Sequence, residues 1–207
     1  MRAFAPSALR RLVAACVAGG CVLYGDAALA GEDAEPARIW PGGHHYQRSM
    51  RSYTIPDVAL VDADARPVYL RDLLRNDEPV MLNFIFTTCS TVCPVMVKVF
   101  ADVPSRLGPA GKNLRMISIS IDPDNDTPRQ LRAWADHVGE RVRWRLLTGS
   151  VEAIRSVQLA FDNYRGDKMA HEPLTLIRPA GGQSWLRIDG FASPDELASE
   201  FGRALAR

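Results

Sequence analysis

The sequence predicts an α/β fold: a mixed β-sheet flanked by helices on both faces, with an N-terminal β-hairpin. Three observations predict it. Pro79-Val80-Met81-Leu82-Asn83-Phe84-Ile85-Phe86 is an almost continuous apolar run, as a strand buried on both faces requires. From there to about residue 162, strand-like and helix-like segments alternate. Strands joined through helices lie parallel, by right-handed crossovers. The chain then ends in a hairpin and a helix, which add antiparallel strands to the sheet.

Residues 1–30 read as a secretory signal peptide. Arg2, Arg10 and Arg11 form a basic start, an apolar run covers 12–25, and Ala28-Leu29-Ala30 is a small-residue cleavage site. The run is about 14 residues, short of the roughly 20 that span a bilayer. Two rivals fit less well. A lipoprotein box at Cys16 has too short an apolar run, at Cys21 it has Ala18 in place of the usual Leu, and nothing after Arg10-Arg11 fits a twin-arginine signal. Cleavage removes three arginines and one aspartate, leaving 22 Lys and Arg against 23 Asp and Glu. Residues 31–52 are polar and weakly periodic, a flexible arm before a domain over 53–207.

Within that domain, 58–61 and 68–70 form the hairpin around a polar turn. After the apolar strand the period changes at Cys89. Val92, Val95, Met96, Val99, Val103 and Leu107 recur at helical steps, and Pro104 is expected to bend or break that helix before Gly108. Residues 114–121 are a second strand. Thr127-Pro128-Arg129-Gln130 starts a helix that runs to Val138. A third strand covers 143–147, and Ser150 caps a helix reaching about Asp162. Residues 174–177 and 184–188 make the second hairpin, about Ala180-Gly181-Gly182. Ser193-Pro194-Asp195-Glu196 is a capping box that opens the last helix, ending near Ala206. The thioredoxin-like fold is the simplest architecture with this order.

Composition narrows the function. The 207 residues are 47% hydrophobic and 24% charged, which excludes a disordered chain and a multi-span membrane protein. A formal net charge of +1 without a basic block leaves out a nucleic-acid partner. Cys89 and Cys93 are the cysteines left after cleavage, and export would place them in an oxidising compartment.

Those two cysteines sit where strand gives way to helix, in Thr87-Thr88-Cys89-Ser90-Thr91-Val92-Cys93-Pro94. At i and i+4 they share one helical face, and a helix start stabilises thiolates. A structural bridge across three residues constrains little of the unfolded chain, so a working pair is the better reading. Two thiolates suit a soft metal or a dithiol/disulfide couple, in which Cys89 and Cys93 would be the redox-active pair. His171, in Met169-Ala170-His171-Glu172-Pro173 directly before a strand, is the third ligand candidate, and the three together fit cuprous copper. Met169 is an auxiliary soft candidate, better read as a packing residue. His44, His45 and His137 read as surface residues. Asp122-Pro123-Asp124-Asn125-Asp126 fails as a calcium loop, because Thr127 stands where Gly is needed and Ala133 where the closing Glu is needed. It is a turn, with Asp122 close to the site.

Phe84-Ile85-Phe86-Thr87-Thr88-Cys89, Cys93-Pro94, the run from Ser120 through Asp122-Pro123 to Thr127-Pro128, and the late His171 together resemble the SCO/SenC family over about residues 52–203. The resemblance implies a thioredoxin-like fold and copper held by Cys89, Cys93 and His171. It implies work on the binuclear copper site of cytochrome c oxidase, so the expected partners are its copper-bearing subunit or another cuproprotein, a copper donor chaperone and a thiol reductant. Ser90-Thr91-Val92 and Ala170 depart from the family's usual Pro-Asp-Val and Asp. The expected function is a copper(I) chaperone in the bacterial periplasm, soluble or membrane-associated. A thiol-disulfide oxidoreductase, or a redox or copper sensor, is the alternative. Pro173 bears on that choice, because thioredoxins place a cis-proline opposite their cysteines; cis and trans both stand open here.

Overall fold

The computed structural model describes residues 45–75, 78–90, 92–138 and 143–205. The signal-peptide reading and residues 31–44 of the arm lie outside the described residues. The elements follow in order: β1 (Tyr46–Arg51), β2 (Ala59–Asp62), β3 (Pro67–Tyr69), α1 (Leu70–Leu73), β4 (Val80–Ile85), α2 (Val92–Leu107), β5 (Arg115–Ser120), α3 (Pro128–Val138), β6 (Trp144–Thr148), α4 (Val151–Ala160), β7 (Leu174–Arg178), β8 (Trp185–Gly190) and α5 (Pro194–Leu205). Short 3-10 helices cover Gly108–Asn113 and Lys168–Ala170.

The strands form one sheet in the order β1-β8-β7-β4-β5-β6-β2-β3. β4, β5 and β6 run parallel, as their helical crossovers demand, and β7 and β8 add antiparallel to the other side of β4. The β2–β3 hairpin docks antiparallel on β6. The sheet is mixed and covered on both faces, as the sequence predicts. Every residue of β4 is buried. Leu82, Phe84 and Phe86 face one core with Leu70, Ile154, Val157 and Phe161, and Met81 and Ile85 face the other with Phe100, Leu131, Leu197 and Phe201. The period of two in a strand thus feeds both layers of helices.

The predicted caps form. Ser150 Oγ accepts from Ala153 N–H at 3.2 Å, Thr127 Oγ1 accepts from Gln130 N–H at 3.3 Å, and Ser193 and Glu196 close their box at 2.8 and 3.3 Å.

Two expectations are corrected, and the open question of Pro173 is answered. Residues 46–51 are not a flexible arm: they form β1, paired with β8 from Tyr46↔Gly190 to Arg51↔Trp185. An edge strand with one buried residue carries no alternation to read, and it is fixed from outside. Tyr46 donates to the buried Glu200 at 3.1 Å, and Gly190, at φ 107, brings its backbone so close that a Cβ would lie 2.5 Å from the His45 carbonyl. α2 does not break at Pro104 but runs on to Leu107, because Phe100 and Val103 before it and Leu107 after it are held in the core. Pro173 is trans, since the described residues contain no cis peptide bond.

Candidate metal centre

The site lies at the carboxyl end of β4. There the chain leaves the sheet through a tight turn, in which Cys89 N–H donates to the Phe86 carbonyl at 3.2 Å. α2 then begins at Val92, so Cys89 stands before the helix and Cys93 in its first turn. The two do not share a helical face as the spacing alone predicts. Cys89 Sγ instead accepts the Cys93 N–H at 3.4 Å, taking up one of the donors a helix start leaves unpaired. Both residues are thiols.

The environments of the two sulfurs differ. Cys89 is partly exposed, whereas Cys93 is 4% exposed. Burial pushes the Cys93 thiol up to about 12, helped by its contact with Cys89 and by the charge of Asp126, against a backbone hydrogen bond from Phe86. The expected thiolate at the helix start is therefore not what Cys93 shows. Desolvation outweighs the backbone hydrogen bond from Phe86.

Asp126 is the residue the sequence reading passed over. Its carboxylate is wholly buried. It accepts from Thr87 N–H at 3.1 and 3.2 Å, from the Thr87 hydroxyl at 2.5 Å and from the Ser120 hydroxyl at 2.6 Å. It thereby ties the β5–α3 loop to the turn that carries Cys89. Asp122 lies at the same end of the sheet, as expected. It is buried, accepts from both the Asn125 amide at 2.9 and 3.0 Å and the Lys168 ammonium at 2.6 Å, and so joins this loop to the His171 segment.

His171 follows the Lys168–Ala170 turn and packs edge-on against Phe86, ring centroids 6.4 Å apart. Its Nε2 lies 3.1 Å from the Phe84 carbonyl. A carbonyl only accepts, so Nε2 carries the proton and Nδ1 keeps its lone pair. Nδ1 is buried and has no hydrogen-bond partner among the described residues. Burial pulls the imidazole below its ordinary value, so the ring is neutral at pH 7. Neutral imidazole with an open lone pair is the ligating form. Among the described residues no three His, Cys, Asp or Glu side chains converge on one point as a metal ion requires. The structure sets Cys89 against Cys93 and His171 against Phe86. The soft donor set and the open nitrogen suit a soft metal.

Of the other candidates, Met169 is 71% exposed and His45 is exposed. His44 and the His137 side chain lie outside the described residues. A cleft of about 240 Å³, lined by Asp122, Arg155, Asn163 and Lys168 among others, opens beside His171.

The domain is thioredoxin-like, with a Cys-x3-Cys pair at a strand end and a histidine in the turn before β7. The chain belongs to the SCO1/SenC family, whose model matches residues 47–205. It is 33% identical over 99 residues to the SCO1 protein homolog of Bacillus subtilis, a match covering 47% of this chain and 50% of that protein. The chain spans about half the length of the curated relatives it matches. Among solved structures it is similar to BsSco, a member of the Sco family of cytochrome c oxidase assembly proteins in which a disulfide switch is identified. There the identity is 28%, the TM-score 0.62 and the coverage 75% of this chain and 95% of that one. It shares the fold of Arabidopsis thaliana ScoI, solved with copper bound, at 21% identity and a TM-score of 0.61, covering 72% of this chain and 95% of that one.

Proposed function

We propose that this chain binds one cuprous ion through Cys89, Cys93 and His171 and passes it to the binuclear copper site of cytochrome c oxidase or of a related cuproprotein. The observation that carries this reading is the His171 ring: half-buried, neutral, its Nε2 proton engaged by the Phe84 carbonyl and its buried Nδ1 without a partner among the described residues. Metal-ligating histidines characteristically bond a carbonyl or carboxylate through their other nitrogen, and a dithiol exchanger has no use for such a group. Two sulfurs and an imidazole form a soft set that favours copper(I). Copper is the cargo. The chain's own residues orient the ligands: Phe86 seats Cys89, Cys89 seats Cys93, and Phe84 fixes the His171 tautomer. Cys93 releases its proton on loading.

A second reading rests on the same sulfurs. Cys89 and Cys93 are adjacent and reduced, as a dithiol/disulfide couple needs, and BsSco has a disulfide switch. In this reading a disulfide form excludes copper, and a thiol reductant restores it. The trans Pro173 removes the resemblance to thioredoxin exchangers and leaves the metal reading ahead. Export through the leader at 1–30, into a bacterial periplasm, and supply by a copper donor complete the proposal.

The test is competition for cuprous ion between the reduced protein and a chelator of known affinity. One equivalent is expected to bind, and His171→Ala is expected to weaken binding about a hundredfold. Equal affinity in the two proteins removes His171 from the ligand set.

A further inference from the structure

The turn that carries His171 hangs between α4 and β7, and its own backbone bonds are local. Met169 N–H bonds the Asp167 carboxylate at 2.8 Å, Ala170 N–H the Asp167 carbonyl at 3.1 Å and His171 N–H the Lys168 carbonyl at 3.2 Å. The His171 ring meets Phe84 and Phe86 at the end of β4, and Lys168 reaches from this turn across to the β5–α3 loop. Its ammonium is 2.6 Å from Asp122 Oδ2 and 5.9 Å from the centre of the Phe86 ring. Phe86 is the residue whose carbonyl seats Cys89 and whose ring packs on His171. Lys168 therefore presses on the joint between both halves of the site.

We propose that the Lys168–Asp122 pair is a positioning clamp, which seats the His171 turn on Phe86 and so orders it before copper binds. The inference rests on the ligand role proposed for His171. Three features make the pair more than a surface contact. The Asp122 side chain is 7% exposed and that of Lys168 34%, so the carboxylate end of the pair is shielded from water while the ammonium reaches in from the surface. Asp122 is itself fixed from the other side by Asn125, at both oxygens, and its N–H bonds the Ser120 hydroxyl at 3.0 Å. Ser120 in turn donates to Asp126, which holds Thr87. One connected network thus reaches from Lys168 to the cysteine turn. Without the ammonium, the His171 turn loses its charged tie to that network, and binding copper must then order the turn as well as bond the ion.

Lys168→Met tests this, because it keeps an unbranched side chain and removes the charge. Two measurements are made on the full reduced protein: hydrogen exchange at the amides of Met169, Ala170 and His171, with no copper added, and cuprous affinity by chelator competition. Exchange is expected to speed up, and affinity to fall about tenfold. Lys168→Arg is expected to restore both. Asp122→Asn is expected to match Lys168→Met, and the double variant to be no worse than either single one. In a His171→Ala background, Lys168→Met is expected to leave copper affinity unchanged. Unchanged exchange at the three amides, or affinity equal to or above that of the parent while His171→Ala is weak, overturns the clamp. Faster exchange with copper affinity unchanged in both Lys168→Met and His171→Ala overturns the ligand role of His171, and the positioning role with it, while the pair stands as an anchor of the turn.

Discussion

Asp126 and Glu200 are both buried carboxylates, and the molecule satisfies them in different ways. Glu200, 2% exposed on α5, accepts from the Tyr46 hydroxyl at 3.1 Å and pairs with Arg203 at 2.7 Å and Arg48 at 3.4 Å. Burial opposes its ionisation, but the two guanidiniums win and hold the carboxyl below its usual range. Its effect on Tyr46 is the converse: burial and the adjacent carboxylate push that phenol up to about 12. Asp126 makes no ion pair among the described residues. Amide and hydroxyl donors hold it, and its charge acts on Cys93 and on Lys168. The difference separates an anchor from a site. Glu200 is neutralised where it ties β1 to α5. Asp126 leaves a buried negative charge beside two thiols, an environment that favours an incoming cation over an anion.

The largest expected effect breaks that contrast directly. Asp126→Ala orphans the Thr87 amide and two hydroxyls, and is expected to cost about 2–4 kcal/mol in chemical denaturation and to weaken cuprous binding. Glu200→Ala lets two half-exposed arginines turn to water, and is expected to cost about 1–2 kcal/mol while copper affinity stays the same. Equal copper affinity in both variants, measured by chelator competition, would show that the Asp126 network does not support the site.

A smaller effect sharpens the comparison through pH. With its thiol at about 12, Cys93 is protonated across the neutral range and must lose that proton to bind metal. Cuprous affinity is therefore expected to rise about tenfold per pH unit between about pH 6 and 9 for that one proton. The same shift makes the folded form lose stability as the pH climbs from the ordinary thiol value of 9.0 towards 12. A flat affinity profile would mean that Cys93 is not a thiolate ligand.

The framework was legible because it rests on local patterns. The β4 run, the helical steps of α2 and the Thr127, Ser150 and Ser193 caps each announce themselves within a few residues. β1 was not legible, because Tyr-Gln-Arg-Ser-Met-Arg has one buried residue and its strand character comes from β8 and Glu200. At the site, residue types were readable and environments were not. Spacing puts Cys89 and Cys93 on a helix, yet the turn at Phe86 delays the helix to Val92. A helix start promises a thiolate, yet Cys93 faces the core. Asp126 hid in a run that reads as a turn, and its signal was its pairing with hydroxyls at Thr87 and Ser120, far from it in sequence or on another element. Lys168 gave no signal beyond standing three residues before His171.

The central claim is that His171 completes a ligand set with the two sulfurs. X-ray absorption at the copper edge of the cuprous protein tests it most directly. Two sulfur scatterers and one nitrogen scatterer are predicted, with the nitrogen lost in His171→Ala. A shell of sulfur alone, identical in the parent and in His171→Ala, would contradict it.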